Sequence, residues 1–176
     1  IFLLYWPLQR WRAASLAILL FANYYFYAKW DLFYLVLIPG ASFIDYLIGL
    51  GLGGTQSKPW RRVLVSASVL MNLGILATFK YMPFFLATYA GIAHSKPAAW
   101  HWTFPLGISF YCFQSLTYTI DLYRKDGKPV RSLLAHMTAV GFFPPTLSGP
   151  MTRVLALAPQ LEKTTRVLTA EDGGRA

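Results

Sequence analysis

The fold of this chain is decided by FPLGISFYCFQSLTYTIDLYR at residues 104–124 and by HMTAVGFFPPTLSGPMTR at residues 136–153, which a short basic turn separates. The first segment has the length and apolarity of a membrane-spanning helix and carries polar residues on one face. The second is apolar but interrupted by Pro144, Pro145, Gly149 and Pro150. Hydrocarbon tolerates such broken backbone only where protein or water covers it, because each unpaired N–H or C=O group costs several kcal/mol. Together the two segments predict a cavity inside a membrane protein.

The composition is also that of a membrane protein. Of the 176 residues, 56% are hydrophobic and 13% are charged, whereas soluble domains carry about 25% charged residues. The formal net charge of +9 would suggest nucleic-acid binding in a soluble protein. Here the basic residues lie between apolar segments, which is typical of loops beside membrane spans. We therefore expect the lipid bilayer, and not a nucleic acid, as the partner of this surface.

The apolar stretches predict an all-α, polytopic integral membrane protein. About twenty residues at about 1.5 Å each cover the hydrocarbon core of a bilayer. We predict one membrane domain over residues 1–176, with spans at 11–30, 32–52, 63–79 and 104–123. The segments 82–93 and 136–153 are predicted to be interfacial or re-entrant, since the first is too short to span and the second is broken. Because the sequence begins with Ile1 and stops abruptly, we expect a piece of a longer protein, incomplete at both ends.

The second and third predicted spans carry isolated polar residues. Asp45 lies well inside the second span, where a charge costs about 2.5–3.5 kcal/mol, so it should face protein. Asn72 in the third span is a candidate hydrogen-bond partner for it. We favour a structural, hydrogen-bonded aspartate over a functional one. At the end of the second span, the spacing of Gly49 and Gly53 predicts a close helix contact.

Polar residues of the fourth predicted span share one helical face, since Gln114, Thr117, Tyr118 and Asp121 follow i, i+3, i+4 and i+7 spacing. Two interpretations remain open: hydrogen bonds that hold helices together, or the wall of a substrate passage. The second makes candidate tunnel residues of Gln114, Tyr118, Asp121, Pro150 and Arg153. Arg124, close by in the sequence, is the expected counter-charge of Asp121.

The basic residues indicate an orientation because they fall in alternate loops. One side would hold Arg10, Arg12, Lys58, Arg61, Arg62, Arg124, Lys125, Lys128 and Arg131. The opposite side would hold Lys29, Lys96 and Lys80. The excess of basic residues predicts that the first side is cytoplasmic.

The long central motif resembles the membrane-bound O-acyltransferase family, in particular the bacterial branch of alginate O-acetyltransferases and teichoic-acid D-alanyl transfer proteins. The segments FYAKW, FIDYLIGLGLG and NLGILATFKYMPFF precede it in the same order as in that family. Three positions depart from the pattern: Cys112 stands where threonine is common, Pro145 replaces a polar residue, and Met151 replaces a branched aliphatic one. The resemblance covers nearly the whole chain.

The resemblance implies acyl transfer from a cytoplasmic thioester donor to a hydroxyl acceptor outside the bacterial inner membrane. In the alginate branch the donor would be acetyl-CoA, used as a substrate with no bound cofactor. An extracytoplasmic acetyltransferase partner would then pass the acetyl group to a polysaccharide. CoA phosphates would be attracted by Arg153 or by the basic turn Arg124–Arg131, although a charge that sets topology is the favoured interpretation of the turn.

The essential histidine of the family lies in a later helix, so the resemblance implies that it follows Ala176. No catalytic residue is therefore expected within this chain, and we expect the isolated chain to be inactive. His136 is not at a matching position. His94 and His101 are expected to be solvated loop residues, because no cysteine, histidine or carboxylate lies near them at metal-site spacing.

Two other classes of function remain open on the sequence. A transporter or channel also uses broken helices and polar residues near the middle of the membrane, but the chain contains no inverted repeat. A non-catalytic membrane scaffold for polysaccharide modification would lack the downstream histidine.

Overall fold

The computed structural model describes residues 12–29, 33–94, 96, 107–142 and 153–162. Its helices are α1 (Arg12–Ala28), α2 (Tyr34–Gly54), α3 (Lys58–Leu76), α4 (Met82–Ile92), α5 (Ile108–Arg124), α6 (Leu133–Val140) and α7 (Val154–Glu162). A π-helical segment, Ala77–Tyr81, lies between α3 and α4. Within the described ranges there is no strand, so the prediction of an all-α chain is confirmed for them.

The centre of the fold is a group of three helices, since α2, α3 and α5 all pack against one another. Gly49 allows the closest approach, because a Cβ atom at this position would lie 2.5 Å from the hydroxyl oxygen of Tyr118 on α5. The predicted close helix contact is therefore present at Gly49. A Cβ atom at Gly53 would instead meet Pro129, which follows α5 in the chain.

Helix α6 lies beside this group and packs against α1, α2 and α7. Its first turn is capped by Ser132, whose side chain accepts a hydrogen bond from the Ala135 N–H at 3.3 Å. Five of its residues are buried, namely Ala135, His136, Thr138, Ala139 and Val140. This short helix carries the chain from the basic turn back into the protein interior.

The third predicted span is longer than expected, because the helix continues from Lys58 to Ile92 over 35 residues. We predicted an end near residue 79 and a separate segment at 82–93; the helical run continues through both, and the limits of the membrane span itself remain a prediction. The π-helical segment ends two residues before Pro83, which has no N–H to donate to a regular turn. A local change of hydrogen-bond register thus accommodates the proline without ending the helix. An interfacial position for residues 82–93 remains a prediction.

Two helices are long and apolar enough to cross a membrane, namely Tyr34–Gly54 and Lys58–Ile92. The apolar part of α1, Ala13–Tyr25, is shorter. Helix α5 begins at Ile108, and residues 104–106 of its predicted span lie outside the described residues. Most of the broken segment also lies outside them, including Pro144, Pro145, Gly149 and Pro150.

Candidate functional site

A cluster of buried polar side chains joins the three central helices. Its members, here called the polar cluster, are Asp45, Ser68, Asn72, Ser115 and Thr119, and each is fully buried. One carboxylate oxygen of Asp45 accepts a hydrogen bond from the Ser68 hydroxyl at 2.6 Å. The other accepts from the Asn72 amide at 2.9 Å and from the Ser115 hydroxyl. The predicted contact between Asp45 and Asn72 is therefore present.

The sequence reasoning missed three members of the polar cluster. Ser68 precedes Asn72 by four residues, so helical spacing alone could have placed both on the same face of α3. Ser115 and Thr119 are also four residues apart, and Thr119 Oγ1 lies 3.1 Å from Ser68 Oγ. The three donors to Asp45 are neutral groups. This arrangement suits an anchor that holds helices together, which supports the structural interpretation of Asp45.

The predicted polar face of α5 packs against α6 and the chain that leads to it. Gln114 donates from Nε2 to the Ala139 carbonyl at 2.9 Å. The Tyr118 hydroxyl accepts from the Val130 N–H at 3.3 Å, and its ring centroid lies 4.6 Å from that of His136. These contacts account for both residues as links between helices. Their role in a substrate passage remains a prediction.

Asp121 is almost buried, but Arg124 does not pair with it. Arg124 forms an ion pair with Asp126 instead, with 3.5 Å between Nε and Oδ2, and both side chains are largely exposed. The physical reason is the end of α5, where Lys125 adopts a left-handed conformation with φ 67°. The Asp126 N–H then bonds to the Asp121 carbonyl at 2.9 Å, a common helix-ending arrangement that turns the chain back. The predicted pair between Arg124 and Asp121 is therefore wrong.

His136 is fully buried on α6, between the rings of Tyr118 and Tyr46. Neither ring nitrogen makes a hydrogen bond of normal geometry. A histidine that acts as general base must lie within hydrogen-bond reach of the proton it removes. In this structure the tyrosine rings enclose His136 on α6, and the absence of a catalytic role for it remains a prediction.

Of the two remaining predicted site residues, the structure describes Arg153. Arg153 is exposed and immediately precedes α7, where its carbonyl accepts from the Ala156 and Leu157 N–H groups at 3.0 and 3.1 Å. Pro150 lies outside the described residues.

Arg61 is a buried cation that the sequence reasoning treated only as a loop charge. Its guanidinium donates to the Leu122 and Tyr123 carbonyls at 2.7 and 2.9 Å. It also donates to the carbonyls of Leu52 and Thr55. These four acceptors belong to the carboxyl ends of α5 and α2, where a cation is favourable because the last helical carbonyls lack partners. Arg61 thus places the two predicted cytoplasmic loops at the same end of the helix group.

A cleft of about 380 Å³ opens at this end. It is lined by Gln56, Lys58, Arg61, Arg62, Tyr123 and Lys125, and we call it the basic cleft. Lys125 donates to the Gln56 side chain at 3.2 Å across it. No aspartate or glutamate is among these lining residues. The basic cleft is therefore a region of positive potential between the ends of α2, α3 and α5.

The proteins to which this chain is similar are bacterial O-acetyltransferases. It is 37% identical over 157 residues to a protein of Pseudomonas syringae pv. tomato named "Probable alginate O-acetylase AlgI", with 86% of this chain and 30% of the relative covered. The protein of that name from Pseudomonas putida is 38% identical, with 86% and 32% covered. A peptidoglycan O-acetyltransferase of Helicobacter pylori is 27% identical over 168 residues, with 82% and 32% covered.

These relatives confirm the resemblance to alginate O-acetyltransferases that the central motif predicted. The chain spans about a third of the length of the curated relatives it matches (30% and 32% for the two Pseudomonas proteins). No protein-family model and no solved structure matches the chain.

Proposed function

We propose that this chain is part of a membrane-bound O-acetyltransferase that acetylates an exopolysaccharide, with alginate as the first candidate acceptor. The observation that carries the proposal is the identity of 37% and 38% to two proteins named as alginate O-acetylases, over 86% of the chain. The Helicobacter pylori relative is named for the same reaction on peptidoglycan. Both names describe transfer of an acetyl group to a hydroxyl of a polymer that contains sugars.

The distribution of polar and apolar side chains supports a position in the membrane. The outer surfaces of α2, α3 and α4 expose large apolar residues, such as Val36 (73% exposed), Leu70 (71%) and Ile92 (76%). The interior contains the polar cluster instead. Soluble monomers rarely expose large continuous apolar surfaces, whereas in lipid such surfaces are favourable. We propose a multi-pass protein of the bacterial inner membrane.

The donor, the catalytic base and the partner belong to the same proposal. The donor is a cytoplasmic acyl thioester, with acetyl-CoA as the first candidate, and it approaches from the end that holds the basic cleft. A histidine outside these 176 residues acts as general base on the acceptor hydroxyl. An extracytoplasmic acetyltransferase receives the acetyl group and passes it to the polysaccharide. This chain contributes helices that position donor and acceptor.

The proposal is tested by expressing the complete coding sequence that contains this chain in an alginate producer whose own O-acetylase gene is deleted. Restored O-acetyl groups on secreted alginate, measured by proton NMR, are the expected result. Labelled acetyl-CoA supplied to inverted membrane vesicles identifies the donor. Residues 1–176 expressed alone serve as the control and are expected to be inactive.

The acceptor is tested in parallel in a strain that lacks peptidoglycan O-acetylation. Acetylated muramic acid without acetylated alginate would identify peptidoglycan as the acceptor in place of alginate and would leave the proposed O-acetylation reaction unchanged. Absence of acetylation of either polymer, with the complete protein and its neighbouring gene products present in the membrane, would overturn the proposed function.

A further inference from the structure

We propose that the basic cleft binds a phosphate ester. Its lining is built from both sides, since Lys58 and Arg62 come from the first turns of α3 and Lys125 follows the end of α5. Segments that are far apart in the sequence thus present three cations to one concave surface. A phosphate anion is the group that such a set of donors recognises best, through charge-assisted hydrogen bonds.

The position of the cleft is fixed by Arg61, which lies beneath it. The guanidinium of Arg61 binds carbonyls of both α2 and α5, so the walls keep their separation. Both terminal nitrogens of this guanidinium already donate to backbone carbonyls. Lys58 and Arg62 are exposed and form no ion pair with any residue that the structure describes. They are therefore available to an anion from outside.

The surrounding charges favour an anion further. Asp126, which follows Lys125, is paired with Arg124 at 3.5 Å and does not line the cleft. A second cleft of about 190 Å³ shares Gln56, Arg61 and Lys125 with the first and adds Lys128. A charge that only sets topology needs to lie in the loop but does not need to converge with others. A role in setting membrane orientation therefore does not explain why these basic residues meet at one cleft.

Two sources of a phosphate ester fit this chemistry. The volume of about 380 Å³ is within the range of ligand pockets, and the ring of Tyr123 at its wall could stack on a nucleotide base. Coenzyme A is one source, and this assignment rests on the proposed function. The headgroup of an anionic phospholipid is the other. Trp60, which is 63% exposed at the start of α3, favours the depth of the lipid headgroups. The phosphate site itself does not depend on the acetyl-transfer proposal.

The test compares K58Q/R62Q with K29Q/K80Q in the complete membrane protein. Both variants lose two exposed positive charges, but only the first pair lines the basic cleft, and Lys29 and Lys80 belong to the opposite predicted side. Proteins in phosphatidylcholine nanodiscs are titrated with coenzyme A and with pantetheine, which lacks the phosphates. A parallel series replaces part of the phosphatidylcholine with phosphatidylglycerol and measures bound lipid by native mass spectrometry. We expect K58Q/R62Q to weaken binding of one phosphate probe about tenfold, while K29Q/K80Q retains binding within about twofold.

The outcomes distinguish coenzyme A from an anionic phospholipid as the ligand of the basic cleft. Weakened coenzyme A binding by K58Q/R62Q identifies the nucleotide, and weakened phosphatidylglycerol binding identifies the lipid. Equal losses in both variants would reduce the effect to net charge and overturn the phosphate site, as would a folded wild-type protein that binds neither probe. Because none of these measurements uses acetyl transfer, failure of the phosphate site and failure of the acetyltransferase proposal are distinguishable.

Discussion

Asp45 shows how a residue that is costly in a membrane segment becomes a stabilising one. The carboxylate is fully buried, and its two oxygens accept hydrogen bonds from three side chains. Buried polar groups that lack partners destabilise a fold strongly, whereas satisfied ones fix the register of the elements that carry them. Donors from α3 and α5 meet on one acceptor from α2, so the carboxylate specifies how these helices pack.

Replacement of Asp45 by alanine should therefore reduce the free energy of unfolding by at least about 3 kcal/mol, because three buried donors lose their acceptor. Asp45→Asn keeps one carbonyl oxygen and should lose less. The midpoint of thermal denaturation in detergent micelles measures both effects. The control is Asp126→Ala at an exposed position, which should remain close to wild type. An Asp45→Ala protein as stable as wild type would contradict the anchoring role.

Gly49 offers a second test at the scale of single residues. A methyl group there collides with the Tyr118 side chain, so we expect Gly49→Ala to destabilise the protein by about 1–3 kcal/mol. Gly40 lies in the same helix with no atom within 4 Å of an added Cβ. Gly40→Ala should be neutral or stabilise the helix by up to about 1 kcal/mol. Protease resistance in micelles compares the two variants, and equal effects would argue against the close contact of α2 with α5.

At the scale of helices, Arg61 connects the carboxyl ends of α2 and α5. Each end leaves carbonyl groups without intrahelical partners, and one planar guanidinium supplies donors to both ends. The ring of Tyr123 lies 5.8 Å from the guanidinium carbon and adds a cation–π contact. Two helix ends that are distant in sequence are held together by this one side chain.

Arg61→Gln should lower the unfolding free energy by about 3 kcal/mol, since buried hydrogen bonds from a charged donor contribute about 1.5–3 kcal/mol each and are only partly replaced. Arg61→Lys should recover a minor part of the loss, because a single ammonium cannot reach both helix ends with the geometry of a guanidinium. Arg131→Gln removes an exposed charge at the same end and is the matched control. If Arg61→Gln and Arg131→Gln denature at the same temperature, the connecting role of Arg61 is refuted.

For the whole molecule, the structure brings the basic segments 55–62 and 124–131 together at one end of the helix group. Lys125 of the second segment bonds to Gln56 of the first, and Arg61 bonds to carbonyls on both sides. The sequence predicted the same side for these segments from charge alone. Which face of the membrane they occupy is a separate question, for which the positive-inside tendency predicts the cytoplasmic face.

Single cysteines at Arg62 and Lys96, introduced in a Cys112→Ala background, test this orientation. Both positions are exposed, whereas Arg61 is buried and unsuitable for labelling. An impermeant maleimide should label position 96 in intact spheroplasts, and position 62 only after the membrane is permeabilised. The opposite pattern would place the basic cleft outside and would remove coenzyme A from its candidate ligands.

The sequence by itself determined the helical class, most of the helix positions, the contact between Asp45 and Asn72, and the resemblance to O-acetyltransferases. Hydrophobic length and helical spacing are local properties, so they can be obtained without knowledge of the fold. The continuation of α3 through the π-helical segment was missed because proline is compatible with either a helix end or a change of register.

Only the tertiary structure decided which polar residues meet. The sequence paired Arg124 with the wrong carboxylate and treated Arg61 only as a loop charge. The left-handed turn at Lys125 and the approach of α2 to α5, which decide both contacts, depend on packing between distant segments. The hydrogen bonds of Ser68 and Ser115 to Asp45 also depend on packing between distant segments. Hydrogen-bond partners and the convergence of cations in the basic cleft are set by three-dimensional proximity, which composition, charge order and periodicity along the chain do not contain.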